Sequence, residues 1–510
     1  MEKNCYDYIV IGSGSAGSVC AHKLAVNLPD HSILLIEAGG SNDYKEIHNF
    51  TDSLYLPENI ADKQWNYEST PQKNLNCRTI DVPFAKILGG CSSINQCVYV
   101  RGSPNDFNYW PKKWSYENVL QNYKNIEKVN RCEYKSSFRG ENGCVQVSGY
   151  ESKKNELTKK LLKACEKNGY CYINDYNIPF KQEQICSPMQ FNVVEKYPDY
   201  RFDTFTSFIK PLIEVGRNNF TLKTKIIVKK ILFKQKRAIG VQCISNNKTF
   251  NLYCNKEIII SCGAINTPKL LQLSGIGDKK LLCKLGIDPV ENLPAVGQNL
   301  QDHLATFVFY KLKNKLPQDH NNLIDVNMFV KGKDGRYPLM MYSITFPKDV
   351  PYFGAKKNWY GAESILNIPH SKGYTHIQSN NFQDDPVINY KYLDSKKDYA
   401  ILIDGIERIR KIFDDVSFVT KEVKPGKNVD LIEYIKNNSY SLCHPCGTCK
   451  MTEAFDLNNS VVDSKCRVWN IEGLRIADAS IMPEIMSGNL NATCMMIGDK
   501  CAEFIIKKLK

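Results

Sequence analysis

Nowhere does this chain run apolar for the roughly 20 residues that a membrane-crossing helix needs, which excludes a protein held in a bilayer by such a helix. Nor is there room for a cleavable leader before the first apolar run. MEKNC leads straight into it, and the expectation is a cytoplasmic protein. A basic stripe interleaved with aromatics is also missing. The net charge of +13 comes mostly from lysines spread thinly among asparagines, as in NNKTF and KKLLCKLG, so a solvated surface is expected and nucleic acid is not. The twenty cysteines lack the setting of a disulfide scaffold, which is a short secreted chain. Scattered through 510 residues and often inside apolar runs (Cys97, Cys262, Cys494), they read as buried thiols. A chain this long exceeds one ordinary core, so two or more domains are expected.

What is present begins at YDYIVIGSGSAGSVCAHKLAVNLPDHSILLIEAGG, residues 6–40. Residues 8–11 form an apolar run short enough for a buried strand. Gly12, Gly14 and Gly17 follow, then a helix-like run through Val19, Cys20, Leu24 and Ala25, then a second apolar run at 33–36 ending on Glu37. Gly12 permits a tight turn, Gly14 lets a pyrophosphate approach the backbone, and Gly17 lets helix and strand pack closely. The helix N-terminus offers unpaired N–H groups to phosphates, and an acid after the second strand can accept hydrogen bonds from ribose hydroxyls. Strand, glycines, helix, second strand and acid together predict a dinucleotide site.

Further on, VPFAKILGGCSSINQCVYVRGSP places Gly89 and Gly90 before Cys91, Ser92, Ser93 and Asn95. Backbone can approach a flat ligand there; a Gly/Ser turn before a strand at 98–100 is the plainer alternative. This segment resembles the first signature of the glucose–methanol–choline family of FAD-dependent oxidoreductases. Residues 263–277 match the family's second signature in Gly-Ala, Thr-Pro, paired leucines and Ser-Gly-Ile-Gly. There Thr267 is expected as a helix N-cap, with Pro268 at the first helical position. VGQNLQDH, ending at His303, looks like the close of the cofactor domain's middle section.

The loop CHPCGTCKM, residues 443–451, carries two overlapping patterns. Cys-x-x-Cys-x-x-Cys suggests a metal or cluster, but no neighbouring cysteine supplies a fourth thiolate at a recognisable spacing. His-Pro-x-Gly-Thr-x-x-Met resembles the family's catalytic loop and is preferred, with no metal expected. Asn489, in Ser-Gly-Asn before a helix starting near 491, aligns with the residue that relatives place opposite the catalytic histidine. His444 and Asn489 taken singly could equally be a loop histidine and a helix cap.

The resemblance implies an α/β fold with a Rossmann-like FAD-binding domain built from discontinuous segments, residues 1–155, 215–305 and 440–510. An α+β substrate domain with an antiparallel sheet would hold 156–214 and 306–439. It implies FAD contacts from Gly12, Gly14, Ser15, Ala16 and Gly17, and from Glu37 and Ala38. Further contacts are implied at Gly89, Gly90, Ser92, Asn95 and Val98, at Val228 beside the adenine, and at Asp478, Ala479, Asn491 and Ala492. Ile94 stands where some relatives bond a histidine to the flavin, so FAD is expected to be non-covalent. His444 is expected as general base and Asn489 as hydrogen-bond donor while a hydride passes from an alcohol carbon to the flavin. Oxygen or a quinone-like acceptor would reoxidise it. The alternatives are a hydroxynitrile-lyase-like enzyme and a non-enzymatic FAD-binding protein. Tyr342, Phe346 and Tyr352 are candidate pocket walls, with core packing the plainer reading.

Overall fold

The structure, a computed structural model, describes residues 4–48, 60–129, 134–149, 156–194, 197–315, 324–346, 349–350 and 354–509. In chain order the elements that place the site are β1 (Cys5–Ile11), α1 (Ser15–Asn27) and β2 (Ile33–Ile36), then β3 (Cys171–Tyr172) and β4 (Gln184–Pro188). The chain returns with β5 (Phe220–Lys223), β6 (Ile227–Lys234), β7 (Arg237–Ser245), β8 (Lys248–Ile260) and α2 (Gly263–Leu273). There follow β9 (Leu304–Leu312), β10 (Ile324–Val330), β11 (Leu339–Thr345), β12 (Trp359–Leu366) and α3 (Lys396–Asp414). The last are β13 (Val419–Lys424), β14 (Tyr440–Ser441), β15 (Leu474–Ile476) and α4 (Asn491–Leu509).

The first sheet has the order β5-β2-β1-β8-β7-β6, with β15 also on β8. Its core is parallel: β5 with β2, β2 with β1, β1 with β8, and β8 with β15. Strands buried on both faces need apolar side chains throughout. Ile9, Val10 and all of β2 accordingly have at most 1% of their surface exposed. The long β8 changes partner along its length, pairing antiparallel with β7 in its first half and parallel with β1 and β15 at residues 258–260. Residues 98–100 form no regular strand; Val98 makes one isolated bridge with Phe191.

The second sheet runs β13-β9-β12-β11-β10-β4-β3, with β14 beside β9, and only the β3–β4 pair is parallel. Alternation along β9 sorts its side chains between two faces. Val308, Tyr310 and Leu312 join Leu402, Ile406 and Ile409 of α3 in one core, while Phe307 and Phe309 join Tyr342, Phe346 and Ile365 on the other side. Phe346 is therefore core. Tyr342 is buried and also reaches the main cavity, and Tyr352 lies outside the described residues.

The start of α2 differs from expectation. The helix begins at Gly263 with Cys262 as its cap residue, so Thr267 and Pro268 lie inside it. Asp478 explains the early start: its Oδ2 accepts the Gly263 N–H at 2.9 Å and the Thr267 hydroxyl at 2.6 Å, placing an acid at the helix N-terminus. Pro268 has no N–H to give the Ala264 carbonyl four residues back. The Thr448 hydroxyl donates to that carbonyl instead, at 2.6 Å. Removing this donor leaves a buried acceptor bare, a cost of about 1–3 kcal/mol. Thr448→Val should thus lower the denaturation midpoint. Pro268→Ala should recover part of the loss in that background by restoring an N–H at position 268, and equal effects of Thr448→Val in both backgrounds would refute the assignment.

Candidate active site

A cavity of about 820 Å³ opens at the carboxyl ends of β1, β2 and β8 and extends to the Phe307 face of the second sheet. That end is where ligands bind in open α/β sheets. Gly12, Gly14, Ser15 and Ala16 line it together with Glu37 and Ala38. Gly90 meets Gly14 so closely that an added Cβ on Gly90 would lie 2.7 Å from the Gly14 Cα, which leaves bare backbone along the wall. Gly17 stands behind this wall, where a Cβ would come within 2.0 Å of the Gly12 carbonyl oxygen. Asn95, Val98, Val228, Asp478, Ala479 and Asn491 also line the cavity, whereas Gly89, Ser92 and Ala492 do not. The Ser92 hydroxyl is engaged with the Gly89 carbonyl and Thr204.

Glu37 is buried. Its Oε2 accepts the Ser13 N–H at 2.9 Å and the Ser13 hydroxyl at 2.8 Å, and its Oε1 accepts the Gly39 N–H at 2.8 Å. Burial pushes its carboxyl above the usual range against the pull of these donors. The N-termini of α1 and α4 meet beside it, where the Ser15 hydroxyl donates to Asn491 Oδ1 at 2.7 Å. No acidic side chain occupies the first turn of either helix. Asn491 Nδ2 and Asn489 Oδ1 are buried without a hydrogen-bond partner. Asn489 is therefore not acting as a cap through that oxygen.

At the far end of the cavity His444 and Asn489 stand together, with Asn489 Nδ2 3.5 Å from His444 Nε2. His303, whose role the sequence left open, holds the other ring nitrogen: the two Nδ1 atoms are 2.9 Å apart. His303 Nε2 lies 3.1 Å from the Met486 carbonyl oxygen. A carbonyl only accepts, so His303 carries its proton on Nε2 and accepts at Nδ1. His444 must then donate from Nδ1, which leaves the Nε2 lone pair toward Asn489 and the cavity. Burial lowers the His444 pKa to about 4 and holds His303 well below its ordinary value, so both rings are neutral near pH 7. Asp302 orients the loop by accepting the His444 N–H at 2.8 Å and the Ser441 hydroxyl at 2.5 Å. The Gln-Asp-His triplet in an otherwise apolar stretch was the available sign of this pair.

Cys446 and Cys449 are fully buried, while Cys443 reaches the cavity. Among the described residues no three His, Cys, Asp or Glu side chains converge on a metal position, and no helix is long and apolar enough to cross a membrane. The described cysteines are all free thiols; Cys97 is buried, but Cys262 and Cys494 are only partly so and line the cavity.

The GMC oxidoreductase N-terminal and C-terminal models match residues 6–305 and 369–498. The chain belongs to the GMC oxidoreductase family. It is 34% identical to the oxygen-dependent choline dehydrogenase of Vibrio vulnificus (strain YJ016), over 99% of this chain and 94% of that protein. The Brucella suis biovar 1 (strain 1330) enzyme of the same name is also 34% identical, over 98% and 95%. Among solved structures, pyridoxine 4-oxidase from Mesorbium loti superposes with a TM-score of 0.89 at 23% identity, covering 98% of each chain. A formate oxidase gives 0.89 at 21% identity, over 100% of this chain and 99% of that one. This GMC enzyme is an alcohol oxidoreductase of the choline dehydrogenase-like kind, built as an α/β FAD-binding domain with a substrate domain.

GMC oxidoreductases bind FAD, and the residues here fit it. Bare glycine backbone, two converging helix N-termini free of acids and the unpartnered Asn491 amide suit a dinucleotide and a polar ring edge. Glu37→Ala takes away the acceptor for Ser13 and Gly39, and with it the group that the sequence leads one to expect at a ribose. FAD occupancy after dialysis should therefore drop, and full retention of flavin absorbance would count against a ribose role.

Proposed function

We propose that this GMC enzyme oxidises the CH–OH group of an alcohol with His444 as general base. The His303–His444 pair carries the proposal, because it presents a neutral, unprotonated Nε2 to the cavity. An alcohol bound there gives its hydroxyl proton to His444 Nε2. The charge gained by the ring is shared through Nδ1 with His303, and the Met486 carbonyl keeps His303 in the accepting tautomer. Asn489 Nδ2 donates to the oxygen as it becomes alkoxide-like, which makes that carbon a better hydride donor. Bound FAD supplies the acceptor for the hydride.

Residues 1–155, 215–305 and 440–510 hold the cofactor in this reading, and 156–214 with 306–439 shape the alcohol site. FAD is retained without a covalent bond, Ile94 having no nucleophile to offer. The oxygen-dependent names of the relatives favour oxygen as final acceptor over a quinone-like one, and oxygen uptake against dye reduction separates the two.

Anaerobic flavin reduction by a panel of alcohols tests the activity. Bleaching supports it, and turnover of a hydroxynitrile with the flavin still oxidised would replace it with a lyase. Acid denaturation should release intact FAD into solution, and colour remaining on the polypeptide would overturn the non-covalent assignment.

Removing a general base costs about 10²- to 10⁴-fold in rate. Stopped-flow reduction of His444→Ala should slow by that order with FAD still bound. Protonation of Nε2 removes the base, so the rate of the parent enzyme should stay level below neutrality and fall only as pH approaches about 4. An acid limb near the ordinary histidine value would contradict the buried pair.

A further inference from the structure

Carboxyl groups line the main cavity in number, and a single cation stands among them. Glu37, Glu68, Asp81, Glu363 and Asp478 supply the carboxyls, while Lys269 is the only lysine or arginine among the lining residues. Lys269 belongs to α2 and is 7% exposed, and its helix neighbours Asn266 and Leu270 line the cavity with it. Among the described residues its ammonium makes no hydrogen bond and no ion pair. Its Nζ stands 5.8 Å from the centroid of the Tyr67 ring, which is pinned in place by a 2.7 Å bond from the Tyr67 hydroxyl to Asn266 Oδ1. Lys86 over Trp65 at 4.6 Å and Lys229 over Phe382 at 5.1 Å repeat the arrangement on two further wall aromatics. An ammonium taken from water with only a ring face beside it is expensive. Burial lowers the Lys269 pKa, and Asp385 and Asp384, beyond ion-pair distance, only partly offset this. No contact within the chain compensates the buried charge.

A ligand with fixed negative charge would. FAD carries such charge on its diphosphate, and the cavity's own carboxyls oppose its entry. The N-termini of α1 and α4 answer with partial charges only. We propose that Lys269 is the counter-cation of the FAD diphosphate and selects a phosphorylated dinucleotide over uncharged flavins and nucleosides. This rests on FAD as the cofactor and assigns a residue to its charge. Lys86 and Lys229 extend the positive potential beside the wall, where it draws the same anion in. A diphosphate in the cavity restores Lys269 to its ordinary charged state.

The test follows FAD leaving the holoenzyme on serial dilution, read by the rise in flavin fluorescence. Losing one partner of a close charge pair costs about tenfold or more in affinity. Lys269→Gln should raise the FAD dissociation constant by that factor, and Lys269→Arg, which keeps the charge, should stay near the parent. A second arm compares ADP with uncharged adenosine as displacers of FAD from the same holoenzymes. ADP should be much the stronger in the parent, and Lys269→Gln should narrow that margin about tenfold. A Lys269→Gln protein that is purified without flavin while Lys269→Arg keeps it gives the same answer. Parental retention of FAD in Lys269→Gln overturns the inference. Equal weakening in Lys269→Gln and Lys269→Arg also overturns it, as does an ADP-to-adenosine margin that survives the substitution, because either marks a packing role. A parent whose acid-released flavin lacks the adenosine diphosphate overturns the cofactor reading and the inference with it. With FAD present, every other outcome bears on Lys269 alone.

Discussion

Two backbone hydrogen bonds between Gln301 and Cys446, each residue donating its N–H to the other's carbonyl at 3.0 and 2.9 Å, hold the His303–His444 end of the cavity together. They continue the β9–β14 pairing of Leu304 with Ser441 by a few residues. The register fixed there brings His303 and His444, 141 residues apart in the chain, to the same point. A slip of one residue would turn one of the rings away. Gly447, in the left-handed region at φ +86°, lets the loop turn against Asn299, where a Cβ would come within 2.6 Å of a carbonyl oxygen. The loop that carries His444 thus takes its shape from the segment before β9 more than from its own sequence.

Buried carboxyls divide the labour of the cavity by how completely they are satisfied. Glu37 is filled by Ser13 and Gly39 and braces the turn at β1. Asp478 ties β15 to the start of α2, and Asp302 sets the backbone of His444. These three hold the frame. Glu363 accepts the Tyr440 hydroxyl through Oε1 and lines the part of the cavity formed by the second sheet.

The sequence was informative wherever one residue type answers one local demand. The glycines at 12, 14 and 17, the apolar run at 33–36 and Glu37 define strand, turn, helix and acid because each acts on its near neighbours. The helix at 263–273 misled for the same reason. Thr-Pro is a sound start signal locally, but Asp478, more than 200 residues away, accepts the Gly263 N–H and lets the helix start five residues earlier. The histidine pair was half legible: His444 stood in a recognisable loop, while His303 became meaningful only when the sheet brought the two rings to 2.9 Å.

The interleaving of segments also orders events during synthesis. β1 emerges first but pairs with β8, about 250 residues later, and the Ser15 hydroxyl waits for Asn491. Contacts so distant in sequence form slowly and only after much of the chain exists. The cavity therefore has no complete wall until nearly the whole polypeptide has left the ribosome. Until β8 arrives, the edge of β1 that it will cover has no partner in the sheet.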